Sequence, residues 1–286
     1  MPSAARQILI TGATSGIGLA AAEALAGLGT DIAIVGRSEP RCRVAAATIG
    51  ARLRGPAAVA TFVADLQSQA AVRTLARDVL ARLGKIDVLI NNAGAMYTSR
   101  QVTGDGIELT WALNHLAPFL LTNLLLERLR ASGPFRVITT ASEAHRGAHI
   151  PFDDLNAERS YGGFARYKET KLANILFTRE LARRLEGSGG TASSFHPGLV
   201  ASNFNRNNGV LMNLAMTMLR PLSRSVEAGA ETLIWLASSP DAIGGSGGYF
   251  IDRQRRSPSP QAQDPDAARR LWEVSERQCA QTGPDA

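Results

Sequence analysis

Short apolar runs alternate along this chain with longer stretches whose apolar residues recur every three or four positions. The runs of strand length are Gln7 to Ile10, Asp31 to Val35, Val59 to Val63, Ile86 to Ile90, Phe135 to Thr139, Thr191 to Phe195 and Gly248 to Ile251. Between them, Leu19 to Leu28, Pro40 to Leu53, Gln67 to Leu83, Ile107 to Leu129, Phe164 to Leu185 and Val226 to Ala237 carry helical spacing. Strands that are apolar throughout are covered on both faces. Seven of them separated by helices predict an α/β protein, a doubly wound parallel sheet with helices on both faces. No compositional break divides the 286 residues, which predicts one domain over 1–286.

Three segments depart from that rhythm. Residues 147–163 are polar and glycine-rich. Residues 203–224 carry Leu211, Met212, Leu214, Met216, Met218 and Leu219. This stripe suits either the core side of a short helix or a lid over a bulky lipophilic substrate. Residues 253–286 read as an irregular tail followed by a terminal helix around Leu271 and Trp272.

Net charge is +6, and part of the excess is clustered at Arg253, Arg255 and Arg256 and at Arg269 and Arg270. A basic balance fits nucleic acid, a membrane surface or an anionic cofactor. There is no long basic run interleaved with aromatic residues, so no nucleic-acid partner is expected. Cys42 and Cys279 are far apart and form no metal-ligand pattern. Reduced thiols, no leader and no stretch long and apolar enough to span a bilayer make a cytoplasmic protein the expectation.

Three places carry chemistry. Thr11-Gly12-Ala13-Thr14-Ser15-Gly16-Ile17-Gly18 follows the first strand and opens the first helix. Glycines there let backbone approach a pyrophosphate, which the free N–H groups of a helix start then hold. Second, Arg37 and Ser38 end the second strand where an acidic residue would receive the 2′-hydroxyl of NAD. A guanidinium suits a 2′-phosphate instead, with Arg41 nearby, so NADP(H) is favoured over NAD(H). Asp65-Leu66, after the third strand, suits either an adenine amino group or a helix N-cap. Asn91-Asn92-Ala93-Gly94 suits close passage of a cofactor or a plain turn. Third, Tyr167 and Lys171 lie four apart on one helical face, and a phenol beside an ammonium can exchange a proton near neutrality.

These motifs, in this order, resemble the short-chain dehydrogenase/reductases over nearly the whole chain. The resemblance rests on Gly12-x-x-x-Gly16-Ile17-Gly18, Asn91-Asn92-Ala93-Gly94, Asn114, Ser142, Tyr167-x-x-x-Lys171 and His196-Pro197-Gly198. Within that family, Leu113-Asn114-His115-Leu116, Ala144-His145, Pro151 to Leu155, Lys171 to Phe177 and Leu271-Trp272 are similar to the retinol-dehydrogenase-like and WW-domain-oxidoreductase-like group. The resemblance implies a Rossmann-like fold of strand order 3-2-1-4-5-6-7 and hydride transfer to or from NADP(H). It implies Tyr167 as acid/base, Lys171 as the ribose ligand that also lowers the tyrosine pKa, and Ser142 as holder of the substrate oxygen. Asn114 would anchor a relay water. Asn92, Ala93 and Gly94 would pass along the cofactor, and Pro197, Gly198, Val200 and Ser202 would lie near its carboxamide. It also implies a homodimer or homotetramer packed through the Asn114 and Tyr167 helices, although their apolar faces suit the sheet as well.

Three departures stand out. Twenty-five residues separate Ser142 from Tyr167, a spacing similar to the retinol group and accounted for by 147–163. Thr170 precedes Lys171 where serine is commoner. Ala141 leaves Ser142 as the hydroxyl of choice, with Thr139 and Thr140 as fallbacks. His145 and His196 read as structural. The expected activity interconverts a carbonyl and a hydroxyl on a lipophilic or aromatic substrate. The alternatives are a C=C reductase or epimerase of the same family, or a non-catalytic NADP(H)-binding regulator.

Overall fold

In the computed structural model, which describes residues 6–200 and 223–280, a single sheet runs through the protein. Its strands are β1 (Gln7–Thr11), β2 (Asp31–Gly36), β3 (Val59–Val63), β4 (Val88–Asn91), β5 (Arg136–Thr140), β6 (Thr191–Phe195), β7 (Tyr249–Ile251) and β8 (Gln254–Arg256). The order is β3-β2-β1-β4-β5-β6-β7-β8. The first seven are parallel, as expected, and β8 is an antiparallel addition. The seven expected strands are all present in the expected order, and β8 is one more than the sequence pattern marks. β8 reads Gln-Arg-Arg, all exposed, so it has no apolar signature. It forms because Asp252 and Arg253 both take positive φ (51° and 60°), the geometry of a tight hairpin turn that usually calls for glycine or asparagine.

Alternation inside the strands builds two cores. Ile8, Ile10, Ile32, Ile34, Val88, Ile90 and Ile138 face one side, against helices α1 (Gly16–Ala26), α2 (Glu39–Gly50) and α7 (Val226–Ser238). Leu9, Ala33, Val35, Leu89 and Val137 face the other. There they meet α3 (Gln69–Arg82), α5 (Ala117–Ala131), α6 (Gly163–Arg184) and the terminal helix α8 (Pro265–Ala280).

The expected helix over 107–129 is broken into parts. A turn of α-helix, α4 (Leu109–Trp111), passes into a π-helical turn at Ala112–Leu116 and then into α5. One stretch, Leu109–Ala131, does have the length and mean hydropathy of a membrane span, contrary to the sequence expectation. Most of it is buried inside the protein, which accounts for its apolar character: it is a core helix.

α8 covers the face formed by α5 and α6. Trp272 meets Phe119 and Phe177, with ring centroids 4.9 and 5.9 Å away. Trp111 Nε1 donates to Gln278 Oε1 (3.0 Å). Ser275 Oγ donates to the Leu271 carbonyl and so accepts from His115 Nε2 (2.8 Å). Burial, with the Arg166 charge adding to it, pushes the His115 pKa down from 6.5 to about 3. Between those values the unfolded chain binds a proton that the folded chain refuses, so stability falls as pH drops. His115 accounts for about 2 kcal/mol of that loss by about pH 5. Urea unfolding at neutral pH and at that lower pH measures it, and His115→Asn is expected to flatten the pH dependence. An unchanged slope would remove His115 from the account.

Candidate active site

The carboxyl ends of the parallel strands form one rim, and the sequence-selected residues sit along it. At β1, Gly12 has φ +69° and a Cβ there would come within 2.8 Å of the Ala93 backbone. At Gly18 a Cβ would lie 2.5 Å from the Gly12 carbonyl oxygen and 2.6 Å from Asn92 Nδ2. That glycine is therefore required for helix–turn packing rather than for close approach of a ligand. Gly16 begins α1 with φ +57°. Ser15 is its N-cap residue, exposed and making no side-chain cap bond. The first-turn N–H groups are thus uncapped by side chains, with Thr14 and Ile17 partly exposed beside them. This fits a pyrophosphate.

Arg37 is exposed just beyond β2, next to part-buried Ser38. Its guanidinium reaches the Tyr97 hydroxyl, which also accepts from Gln67 Nε2 (3.1 Å). Asp65 is exposed and accepts the Gln67 N–H (3.1 Å) in a local turn. The N-cap of α3 is Ser68, whose Oγ accepts from Ala71 N. The cap reading of Asp65 therefore fails. Leu66 is buried and, with Thr11, Asn91 and Ala93, lines a small internal cavity.

The Asn92 side chain serves the scaffold. Its Nδ2 donates to the carbonyls of Thr11 (3.2 Å) and Gly12 (3.3 Å), and its Oδ1 accepts from Thr140 Oγ1 (3.2 Å). Thr11 Oγ1 in turn accepts from the N–H groups of Asn92 and Ala93. The asparagine ties β1, β4 and β5 together and holds the glycine turn in place. Gly94 stands where a side chain would crowd Asn114 Oδ1 (3.2 Å) and Lys171 Nζ (3.7 Å).

Ser142, Tyr167, Lys171 and Asn114 converge at the ends of β4 and β5. Ser142 caps a 3₁₀ turn, Glu143–His145, and hydrogen-bonds the Tyr167 hydroxyl. Lys171 is buried; Nζ donates to the Thr140 carbonyl (3.1 Å) and lies 5.4 Å from the centre of the Tyr167 ring. Thr140 thus enters the site through its backbone, while Ser142 provides the hydroxyl. Asn114 lies in the π-helical turn. Its Oδ1 accepts from Ala95 N (2.9 Å), and its Nδ2 donates to the Ala95 carbonyl (2.8 Å) and Thr170 Oγ1 (3.1 Å). The side chain is committed, so any relay water must use the main chain, where a π turn leaves carbonyl capacity unused.

Burial pushes the Tyr167 pKa up to about 12, and the Ser142 bond only partly offsets that. The sequence expectation was a lowered value. Desolvation dominates here because Lys171 directs its ammonium at Thr140 rather than at the phenol. Tyr167 is therefore a protonated donor at neutral pH. Burial brings the Lys171 pKa down to about 8. Activity that needs the ammonium should fall above about pH 8 as Lys171 loses its proton. In Lys171→Arg the guanidinium stays charged, and that alkaline limb should disappear from the kcat/KM profile. A limb unchanged in the variant would assign it to another group.

The two histidines are placed as supports. Ser259 N–H donates to His145 Nε2 (3.0 Å), so the ring proton sits on Nδ1 and is given to the Ser142 carbonyl (2.6 Å). His196 Nδ1 accepts from Glu143 N (3.3 Å), and burial brings its pKa down to about 4. Gly198 has φ +86°, Pro197 is part-buried, and Val200 packs on Gly229 of α7. Ser202 and residues 203–222 of the expected lid lie outside the described residues. Arg224 closes that segment by donating its N–H to Leu199 (2.7 Å) and pairing with Asp252.

One cluster escaped the sequence reading. Arg166, next to Tyr167, is buried between Glu108 (Nε–Oε2 2.7 Å) and Glu169 (Nη1–Oε2 3.0 Å), over the Trp111 ring. It also donates to the Leu155 carbonyl. Its partner Glu108 lies 58 positions away, and no local pattern marks the pair.

The sequence pattern of the short chain dehydrogenases matches residues 6–210. Human retinol dehydrogenase 14 is 40% identical over 291 residues, spanning 95% of this chain and 85% of its own length. Mouse retinol dehydrogenase 12 is 41% identical, spanning 94% and 84%. An uncharacterized protein of Mycobacterium paratuberculosis superposes with a TM-score of 0.77 at 34% identity, over 98% of this chain and 96% of its own. A Burkholderia cenocepacia short chain dehydrogenase, solved in complex with NADP, superposes at 0.69 with 25% identity, over 91% and 98%. This chain belongs to the short-chain dehydrogenase/reductases, the NAD(P)-using oxidoreductases, and within them it is retinol-dehydrogenase-like.

Proposed function

We propose that this protein interconverts a carbonyl and a hydroxyl on a lipophilic small molecule with NADP(H), using Tyr167 as the acid/base. The observation that carries the reading is the hydrogen-bonded Ser142–Tyr167 pair beside buried Lys171, on the rim that also holds the uncapped start of α1. A nicotinamide cofactor held by the start of α1 and Arg37 would supply or accept the hydride. Ser142 Oγ orients the substrate oxygen and donates to it, and Tyr167 gives its phenolic proton as that oxygen gains charge. Lys171, bound to the Thr140 carbonyl with its ammonium 5.4 Å from the Tyr167 ring centre, offsets part of the charge left on the phenolate. Bringing these groups to one oxygen supplies most of the advantage of the site.

Phe164 supports a lipophilic substrate: it is 62% exposed and its ring stacks at 6.5 Å on that of Tyr167. The apolar residues at 211–219 follow the same rim in sequence. A panel of lipophilic ketones and aldehydes, screened for NADPH oxidation with product analysis, tests the reading. Turnover without formation of an alcohol would defeat it.

Arg37 at the end of β2 supports NADP(H), as does the NADP bound by the Burkholderia relative. Arg37→Ala should weaken NADPH binding about tenfold or more while sparing NADH, since a charge-assisted pair contributes about 1.5–3 kcal/mol. Equal losses for both cofactors, by fluorescence titration, would contradict this assignment. A cytoplasmic location belongs to the same proposal, supported by two free, buried cysteines. Recovery in the membrane fraction after cell lysis would overturn it.

A further inference from the structure

The opposite edge of the sheet holds a second concavity, of about 520 Å³, where β6 begins and α6 ends. Its walls come from the last turns of α6, the glycine-rich turn that follows, the loop before β7, and Arg255 on β8. It lies across the sheet from the rim that carries Gly12, Arg37 and Tyr167, so the cofactor seat does not account for it.

The charges in this pocket are unbalanced. Arg183 is held by Glu180 through two bonds, 2.9 and 2.7 Å. Arg179 and Arg255 have no side-chain hydrogen bond or ion pair among the described residues. Yet they lie close enough to affect each other: burial first, and then the Arg255 charge, hold Arg179 below the usual arginine range. Glu186 is the acidic residue of the lining, and its field acts on Arg183. Two guanidiniums are thus brought together from separate elements without a counter-charge of their own. Placing a part-buried arginine this way costs stability unless a ligand pairs with it.

We infer that this pocket binds a phosphate group through Arg179 and Arg255. Two guanidiniums lining one pocket suit an acceptor with several oxygens and more than one negative charge, which a tetrahedral phosphate offers more fully than a carboxylate. The volume exceeds one phosphate and falls in the range of small-molecule sites. Ala182, Leu185 and the 52%-exposed Ile243 give it an apolar side, which suits the organic part of a phosphate ester. That ester is either a soluble metabolite or the head of an anionic phospholipid; the chemistry recognised is the same.

The test compares wild type with Arg179→Gln/Arg255→Gln, and with Arg255→Gln alone, which sits on an exposed hairpin and leaves the core untouched. Glycerol 3-phosphate is titrated by phosphorus NMR. In parallel, the proteins are mixed with phosphatidylcholine vesicles that contain or lack phosphatidic acid. The start of α1, proposed above as part of the cofactor's seat, is identical in all three proteins, so the difference between them reports this pocket. Saturation by glycerol 3-phosphate that weakens about tenfold or more in the double variant identifies a soluble ester. Retention of wild type alone on phosphatidic-acid vesicles, without that saturation, identifies a lipid head. The single variant should show a smaller loss in the same arm, and turnover at the active site should be equal in all three. Equal behaviour of wild type and double variant in both arms, including no binding by either, would overturn the inference.

Discussion

Tyr167→Phe is expected to fold and to bind cofactor as wild type does while losing roughly 10²–10⁴-fold in kcat, the usual weight of a positioned general acid. The phenylalanine keeps the ring that stacks on Phe164 and the contact with Lys171, so packing changes little. What is removed is one hydroxyl, and with it the proton that the substrate oxygen needs. Its pKa of about 12 means the hydroxyl is almost wholly protonated at neutral pH, so reduction starts with the donor loaded. Ser142 can orient the oxygen but has no charged neighbour like Lys171 to balance a lost proton. Single-turnover reduction of a confirmed substrate, with circular dichroism and cofactor titration as controls, gives the measurement. Full activity in the phenylalanine variant would end the acid/base assignment.

Arg166→Met is expected to cost about 3–5 kcal/mol in urea unfolding, because it leaves Glu108 charged and buried without its partner. Both side chains of the pair are essentially inaccessible, at 1% and 0%. Glu108 does more than pair: its two oxygens accept from Thr110 N and Trp111 N, both at 2.9 Å, and so start the broken helix that carries Asn114. Arg166 also reaches the Leu155 carbonyl in the segment before α6. One guanidinium therefore clamps three elements around Tyr167. Adding Glu108→Gln to Arg166→Met should recover part of the loss, since the fully buried carboxylate is then neutral and only the 21%-exposed Glu169 loses its partner. A loss below about 1 kcal/mol in the single variant would mean that water or rearrangement satisfies Glu108, and that the clamp is unimportant.

The parallel sheet was legible because burial on both faces writes itself as short apolar runs, which most of its strands carry; β6, Thr-Ala-Ser-Ser-Phe, is the weakest of the first seven. β8 was not legible: Gln254-Arg255-Arg256 is exposed and polar, and pairs only because β7 offers an open edge. The glycine turn could be located from residue types alone, since φ near +69° at Gly12 is a property of glycine itself. The reason for Gly18 could not, because the atoms it makes room for belong to Asn92, distant in sequence.

The chain by itself determined the fold class, the order of its elements and the spacing of Tyr167 and Lys171, all of which follow from local period and residue type. Tertiary structure alone decided that Asn92 and Asn114 spend their side chains on the scaffold, since their partners are backbone and hydroxyl groups brought up from other elements. It alone set the Tyr167 pKa above its free value, because that depends on how much water is excluded and on where Lys171 points. It also joined Glu108 to Arg166 and set α8 over the α5–α6 face. Such long-range pairings leave no period in the sequence, because they are fixed by the whole packed core rather than by any window along the chain.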